Sequence, residues 1–237
     1  MYQVSTLNAL SLGYTRKVVS IEELLRHGDT GLGTFQDIDG EMIVIDGHCY
    51  RATDDGSVNE PPTDFGVPFA SVAKLEGIRH FDLQNVDSID TLKTKLNLKI
   101  EEDFGLNSMH LVRIDAEFQK VQARSESARH TQHVELKELL KGNQKNFCFE
   151  KISGSIVCLY YPDYMQGINA AGWHFHFVSD DRTCGGHVFE IAFQKGFARH
   201  DKISHIEMQL PTEASFDTYS LTAASNKDIK QVEQGKK

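Results

Sequence analysis

The chain has 237 residues, 40% hydrophobic and 25% charged, which is enough apolar material for one large domain or two small ones. Its net charge of −9 argues against non-specific nucleic-acid or anionic-membrane binding, which needs a basic face. No apolar run approaches the roughly 18 residues of a membrane-spanning helix, and MYQVSTLNALSLGYTRKVV lacks the basic start and cleavage pattern of a signal peptide.

Val18 to His27 reads as a helix, with Ser20 as N-cap, Glu23 as its capping-box partner and Gly28 as its stop. Asp39-Gly40, Asp46-Gly47 and Asp55-Gly56 are turn signals between apolar runs. They predict a meander with strands near 32–37, 41–46 and 48–53, and a further strand at 67–75. Asp87 to Leu98 reads as a helix with Leu92 and Leu96 on one face. Met109 to Arg124 reads as a strand pair broken near Asp115-Ala116. A short helix follows at 132–141, then a hairpin at 147–161 turning at Ser153-Gly154, and a last strand near 199–209. Strands that run together, with few helices between them, predict an α+β fold with mixed or antiparallel sheets. The expected division is an N-terminal lobe over 1–125, a C-terminal metal-binding lobe over 126–215 and a tail over 216–237.

The chemistry concentrates in GWHFHFVSDDRTCGGHVFE, residues 172–190. On a strand, His174 and His176 share one face while Trp173, Phe175 and Phe177 share the other. The turn-forming Asp180, Asp181, Gly185 and Gly186 let a returning strand bring His187 beside them. Three imidazoles on one face suit a borderline metal such as Zn²⁺, and three protein ligands leave a position open. Against this stands the chance clustering of 11 histidines. Cys49, Cys148, Cys158 and Cys184 have no C-x-x-C spacing, which argues against a cysteine zinc site and points to reduced thiols in a cytoplasm. Cys184 is near enough in sequence to act as a fourth ligand, which would make the metal structural. A hydrolase using metal-bound hydroxide is the other alternative. There is no G-x-G-x-x-G, Walker A or G-x-S-x-G sequence, so nucleotide cofactors and α/β-hydrolase chemistry lack support. Taken singly, Glu41 at a strand start and Arg124 at a strand end read as surface residues.

Three segments together resemble the alpha-acetolactate decarboxylase family. They are GTFQDIDGEMIVIDGHCYR, RIDAEFQKVQAR and GWHFHFVSDDRTCGGHVFE, in that order. The resemblance runs from about residue 18 to the tail and departs from the family pattern at Ala116, where glycine is usual. It implies a carboxy-lyase that converts (S)-2-acetolactate to (R)-acetoin and CO₂ through a metal-stabilised enediolate, in acetoin and butanediol formation. It also implies two α+β lobes, with the metal site carried by the C-terminal lobe. His174, His176 and His187 match the metal ligands for one Zn²⁺ per chain, and Thr34, Glu41 and Arg124 match the polar lining. Glu233, in DIKQVEQ, is the best match for a glutamate brought back over the metal. The implied protein is a cytoplasmic homodimer acting on a small molecule, with no thiamine diphosphate, PLP or nucleotide and no nucleic-acid or membrane partner.

Overall fold

The structure is a computed structural model, and it describes residues 1–130 and 133–224. In chain order its strands are β1 (Tyr2–Val4), β2 (Val19–Ser20), β3 (Thr30–Thr34), β4 (Glu41–Ile45), β5 (His48–Ala52), β6 (Val58–Asn59), β7 (Gly66–Val67), β8 (Phe69–Ala73), β9 (Arg79–Val86), β10 (Met109–Glu126), β11 (Gln144–Tyr161), β12 (Gly172–Ser179), β13 (Gly185–Ile203) and β14 (Glu207–Gln209). Its α-helices are α1 (Leu7–Ser11), α2 (Ile21–Leu25), α3 (Ile89–Glu101) and α4 (Leu136–Leu140). No helix among the described residues is long and apolar enough to cross a membrane.

The first sheet has the order β14-β1-β8-β3-β4-β5-β6 and is antiparallel except for the parallel pair β1–β14. The second contains β9 to β13. Here β10 bonds β11 along one edge and β13 along the other, while β12 bonds both β11 and β13. These four strands therefore close on themselves, and β9 is added to the far part of β13. The chain passes from the first sheet to the second between β8 and β9. The expected lobe boundary at 125 falls inside β10, which is bonded on both edges and belongs to the second sheet throughout.

One face of the second sheet packs Val112, Ile114, Phe118, Ile156, Phe175, Phe177 and Phe193 against Leu92, Leu96 and Ile100 of α3. Burying each of those three helical side chains stabilises the fold by about 1.5–3 kcal/mol. The opposite face, through Leu111, Val157, Leu159 and Val178, meets Leu32, Ile43 and Ile45 of the first sheet. His174 and His176 lie on this second face, the face of Val178.

The predicted cap at Ser20 forms, and Ser88 caps α3 in the same way. Ser20 accepts from the Glu23 amide and Ser88 from the Thr91 amide. The carboxylate of Glu23 instead bonds Arg26 and His27. The meander forms as expected, but its first connection is longer than a two-residue turn. β3 ends at Thr34, and a 3₁₀ turn over Gln36–Ile38 leads to β4. The predicted strand at 67–75 is split by Pro68, which has no N–H for a ladder: Val67 pairs with Val19, while β8 pairs with β1 and β3.

The two predicted breaks near residues 115 and 153 do not occur. β10 and β11 are each continuous over 18 residues, and the weak strand formers face one another as Asp115↔Ser155 and Ala116↔Gly154. Asp115 accepts from Ser155 (2.6 Å), Arg113 (2.7 Å) and Arg199 (2.9 Å). A Cβ at Gly154 would lie 2.5 Å from the Val178 carbonyl oxygen, so glycine there serves close strand approach rather than a turn. Long-range pairing thus overrides local propensity. The predicted strand at 199–209 is likewise two strands, because 204–206 carry the chain back to the first sheet. β9 escaped sequence detection because an edge strand buries little; only Leu83 and Val86 are buried.

Away from the candidate site, His110 Nε2 donates to the Gly105 carbonyl (2.8 Å), so its Nδ1 accepts from His200 Nε2 (2.8 Å). Because His110 Nδ1 accepts, this arrangement requires the His110 ring to be neutral. Burial lowers both imidazoles; for His200, the neighbouring His110 and Arg79 add to the effect and bring it to about 4. The unfolded chain takes up these protons below about pH 6.5, while the folded chain resists until about pH 4, so stability falls as pH drops through that window. Denaturant unfolding at pH 7 and pH 5 will show a loss of stability at pH 5 that is smaller in His200→Gln.

Candidate active site

The site lies where the β3–β4 connection of the first sheet meets β10, β12 and β13 of the second. Backbone register assembles it. His187 stands opposite His176 on β12 and opposite Arg124 on β10. His174 lies two residues before His176 and so shares its face. Glu41 stands opposite Thr34 across the β3–β4 pair. Gly186 makes the convergence possible: its φ is +148°, and a Cβ there would lie 2.7 Å from the Arg124 carbonyl oxygen.

All three histidines are buried, and each offers a nitrogen within 4.8 Å of the others. His174 Nε2 lies 3.1 Å from His176 Nε2 and 3.1 Å from His187 Nδ1. His176 Nδ1 donates to the Met42 carbonyl (2.7 Å), which fixes its tautomer and turns Nε2 into the cluster. Burial holds His174 well below the usual imidazole range and brings His176 down to about 3. The Arg124 charge lowers both further, while the Met42 hydrogen bond partly opposes this for His176. Neutral imidazoles at neutral pH keep their lone pairs for a cation, so the donor set fits a borderline divalent metal. Cys184 is not part of the cluster, and its turn bridges to Ser57 instead.

Glu41 approaches the same nitrogens, with carboxylate oxygens 3.4 Å from His176 Nε2 and 3.8 Å from His187 Nδ1. Arg124 is buried, with Nη2 3.2 Å from His187 Nε2. A guanidinium only donates, so in this arrangement the His187 ring proton sits on Nδ1. Thr34 donates to the Gly40 carbonyl (2.9 Å), holding the connection that carries Glu41. Thr34, Glu41, Arg124, His174 and His187 line one cleft. Glu233 lies outside the described residues. The described start of the tail runs beside the cleft: Leu221 accepts from Asn8, and Ala224 packs on the cluster containing Leu10 and Leu136.

Sequence reasoning missed two parts of the lining. Glu126, buried two residues beyond Arg124, lines the same cleft, and strand alternation from Arg124 was a usable signal for it. The second part is an apolar wall of Leu10, Ile38, Phe69, Leu136 and Leu140, drawn from four separate segments with no common motif.

Fold and site together define an α+β protein with a buried three-histidine centre, open on one side to a cleft that carries a glutamate and an arginine. Comparisons with known proteins give the family. Residues 1–223 match the model described as alpha-acetolactate decarboxylase, and the chain belongs to that family of carboxy-lyases. The alpha-acetolactate decarboxylase of Methanosarcina mazei is 33% identical over 234 residues, covering 99% of this chain and 80% of the relative. That of Bacillus subtilis strain 168 is 32% identical over 237 residues, covering 98% and 90%. The crystal structure of the Bacillus subtilis strain 168 alpha-acetolactate decarboxylase superposes with a TM-score of 0.92 at 30% identity over 98% of each chain. A Staphylococcus aureus structure described as similar to alpha-acetolactate decarboxylase gives 0.87 at 27% identity, covering 97% of this chain and 96% of the other.

Proposed function

We propose that this chain decarboxylates (S)-2-acetolactate to (R)-acetoin and CO₂ and that His174, His176 and His187 hold a Zn²⁺ for the reaction. Family membership supports the reaction, and the convergence of three buried imidazoles beside Glu41 and Arg124 is the observation that carries the metal. Breaking the C1–C2 bond releases CO₂ and leaves its electron pair on C2. The adjacent ketone takes up that pair as an enediolate, and a proton delivered to C2 gives acetoin. The substrate therefore contains its own electron sink, and the reading needs no thiamine diphosphate, PLP or nucleotide. A bound Zn²⁺ supplies Lewis acidity that stabilises negative charge developing on oxygen.

The chain's own residues do the rest. His174, His176 and His187 would hold the metal, and Arg124, whose guanidinium lies beside His187, would address substrate oxygens. Arg124 supplies local positive charge to an anionic substrate in a protein of net charge −9. A tight pair with the departing carboxylate would stabilise the ground state and slow CO₂ loss, so its role is orientation through oxygens that remain. Glu41 holds the substrate hydroxyl. Proton delivery to one face of C2, which gives a single enantiomer, is assigned to Glu233. The same reading makes the protein a cytoplasmic homodimer in acetoin and butanediol formation, and light scattering of the purified chain measures its oligomeric state.

Chelation of the purified protein will abolish acetoin release from acetolactate, and added Zn²⁺ will restore it; full activity in metal-free protein would overturn the reading. Arg124→Lys will lower kcat/KM by at least tenfold, because the planar fork is lost while the charge stays. Truncation after Asn226 will leave metal content intact and reduce turnover, and an unchanged rate would remove Glu233 from the mechanism.

A further inference from the structure

The cleft is lined by apolar as well as polar side chains, and one of the apolar residues has an unusual backbone. Asp37 and Ile38 are consecutive non-glycine residues with φ of +61° and +58°. Aspartate adopts this left-handed region at modest cost. A β-branched isoleucine does not, because its Cβ crowds the backbone. Contacts on every side hold the conformation. The Asp37 amide donates to the Thr15 carbonyl (2.9 Å), and its carbonyl accepts from the Arg129 amide (2.7 Å). The Ile38 amide donates to the Phe35 carbonyl (3.0 Å), and His130 Nδ1 lies 2.9 Å from the Asp37 carboxylate. Glycine would occupy position 38 without strain, as it does at Gly40 nearby. Isoleucine contributes what glycine lacks, a branched side chain. That side chain is 2% exposed and lines the same cleft as Arg124, Glu41, His174 and His187.

We infer that Ile38, held in a left-handed conformation, is a specificity-determining residue that limits the size of the alkyl group on C2 of the substrate. The inference rests on the proposed decarboxylation of 2-acetolactate. That substrate carries its carboxylate, hydroxyl and ketone oxygens on one side and short alkyl groups on the other. Once the oxygens engage the polar side chains, the alkyl groups fall against Ile38, with Leu136 and Leu140 of α4 beside it. Strain persists at a site when the strained side chain is needed there.

Two variants test this. Ile38→Ala and Ile38→Gly both open the cleft, but only glycine also relieves the backbone. The measurements are melting temperature and the ratio of kcat/KM for the homologue with ethyl in place of methyl at C2 to kcat/KM for acetolactate. Both variants should raise that ratio about tenfold over the parent, the scale of one methylene in an apolar pocket, and Ile38→Gly should melt at or above Ile38→Ala. A ratio that stays at the parent value in both variants, with the parent releasing acetoin, overturns the specificity role and leaves the decarboxylase reading standing. An Ile38→Gly protein that melts below Ile38→Ala, or fails to fold, overturns it through the strain argument. A parent chain that releases no acetoin overturns the decarboxylase reading and this inference together.

Discussion

The backbone pairing of β13 with two neighbours is the constraint on which the rest depends. At His187 the two registers meet, placing it opposite His176 on one side and Arg124 on the other. Side chains alternate along a strand, so a slip of one residue in either pairing would turn an imidazole into the Phe-rich core and a phenylalanine into the site. The site is therefore set by the ladder hydrogen bonds that close the second sheet. Gly186 is the small residue that lets this closure occur beside Arg124.

The first sheet completes what the second begins. Met42 sends its side chain into the core shared with Val44 and Val72, while its carbonyl receives the His176 proton. One residue thus ties the packing of the first sheet to the orientation of an imidazole in the second. Glu41, immediately before it, is carried to the same nitrogens by the same strand. Burial then sets the chemistry of the rings. It lowers the tendency of His174 and His176 to protonate, in a pocket whose lining includes an arginine.

The sequence made the faces and the residue types legible. His174 and His176 point one way because the strand period is two, and Trp173, Phe175 and Phe177 accordingly pack in the core. Ser20 caps its helix as predicted because a cap is a contact between residues three apart. The strand breaks expected at Asp115-Ala116 and Ser153-Gly154 failed for the opposite reason. Asp115 is bonded not only by Arg113 but by Ser155 and Arg199, 40 and 84 positions away.

The division between the two kinds of information follows sequence distance. The amino-acid order alone determined the three histidines, the face they share, the turn residues that allow a return strand and the motifs by which Glu41, Thr34 and Arg124 could be singled out. Only the tertiary structure decided that β10 and β11 run unbroken, that Glu126 joins the cleft, and that Leu10, Phe69, Leu136 and Leu140 form one wall with a left-handed Ile38. Periodicity and capping act over a few residues and leave a local trace. Register and packing act between segments far apart in sequence, and the conformation of Ile38 is imposed by a turn held through Thr15 and Arg129.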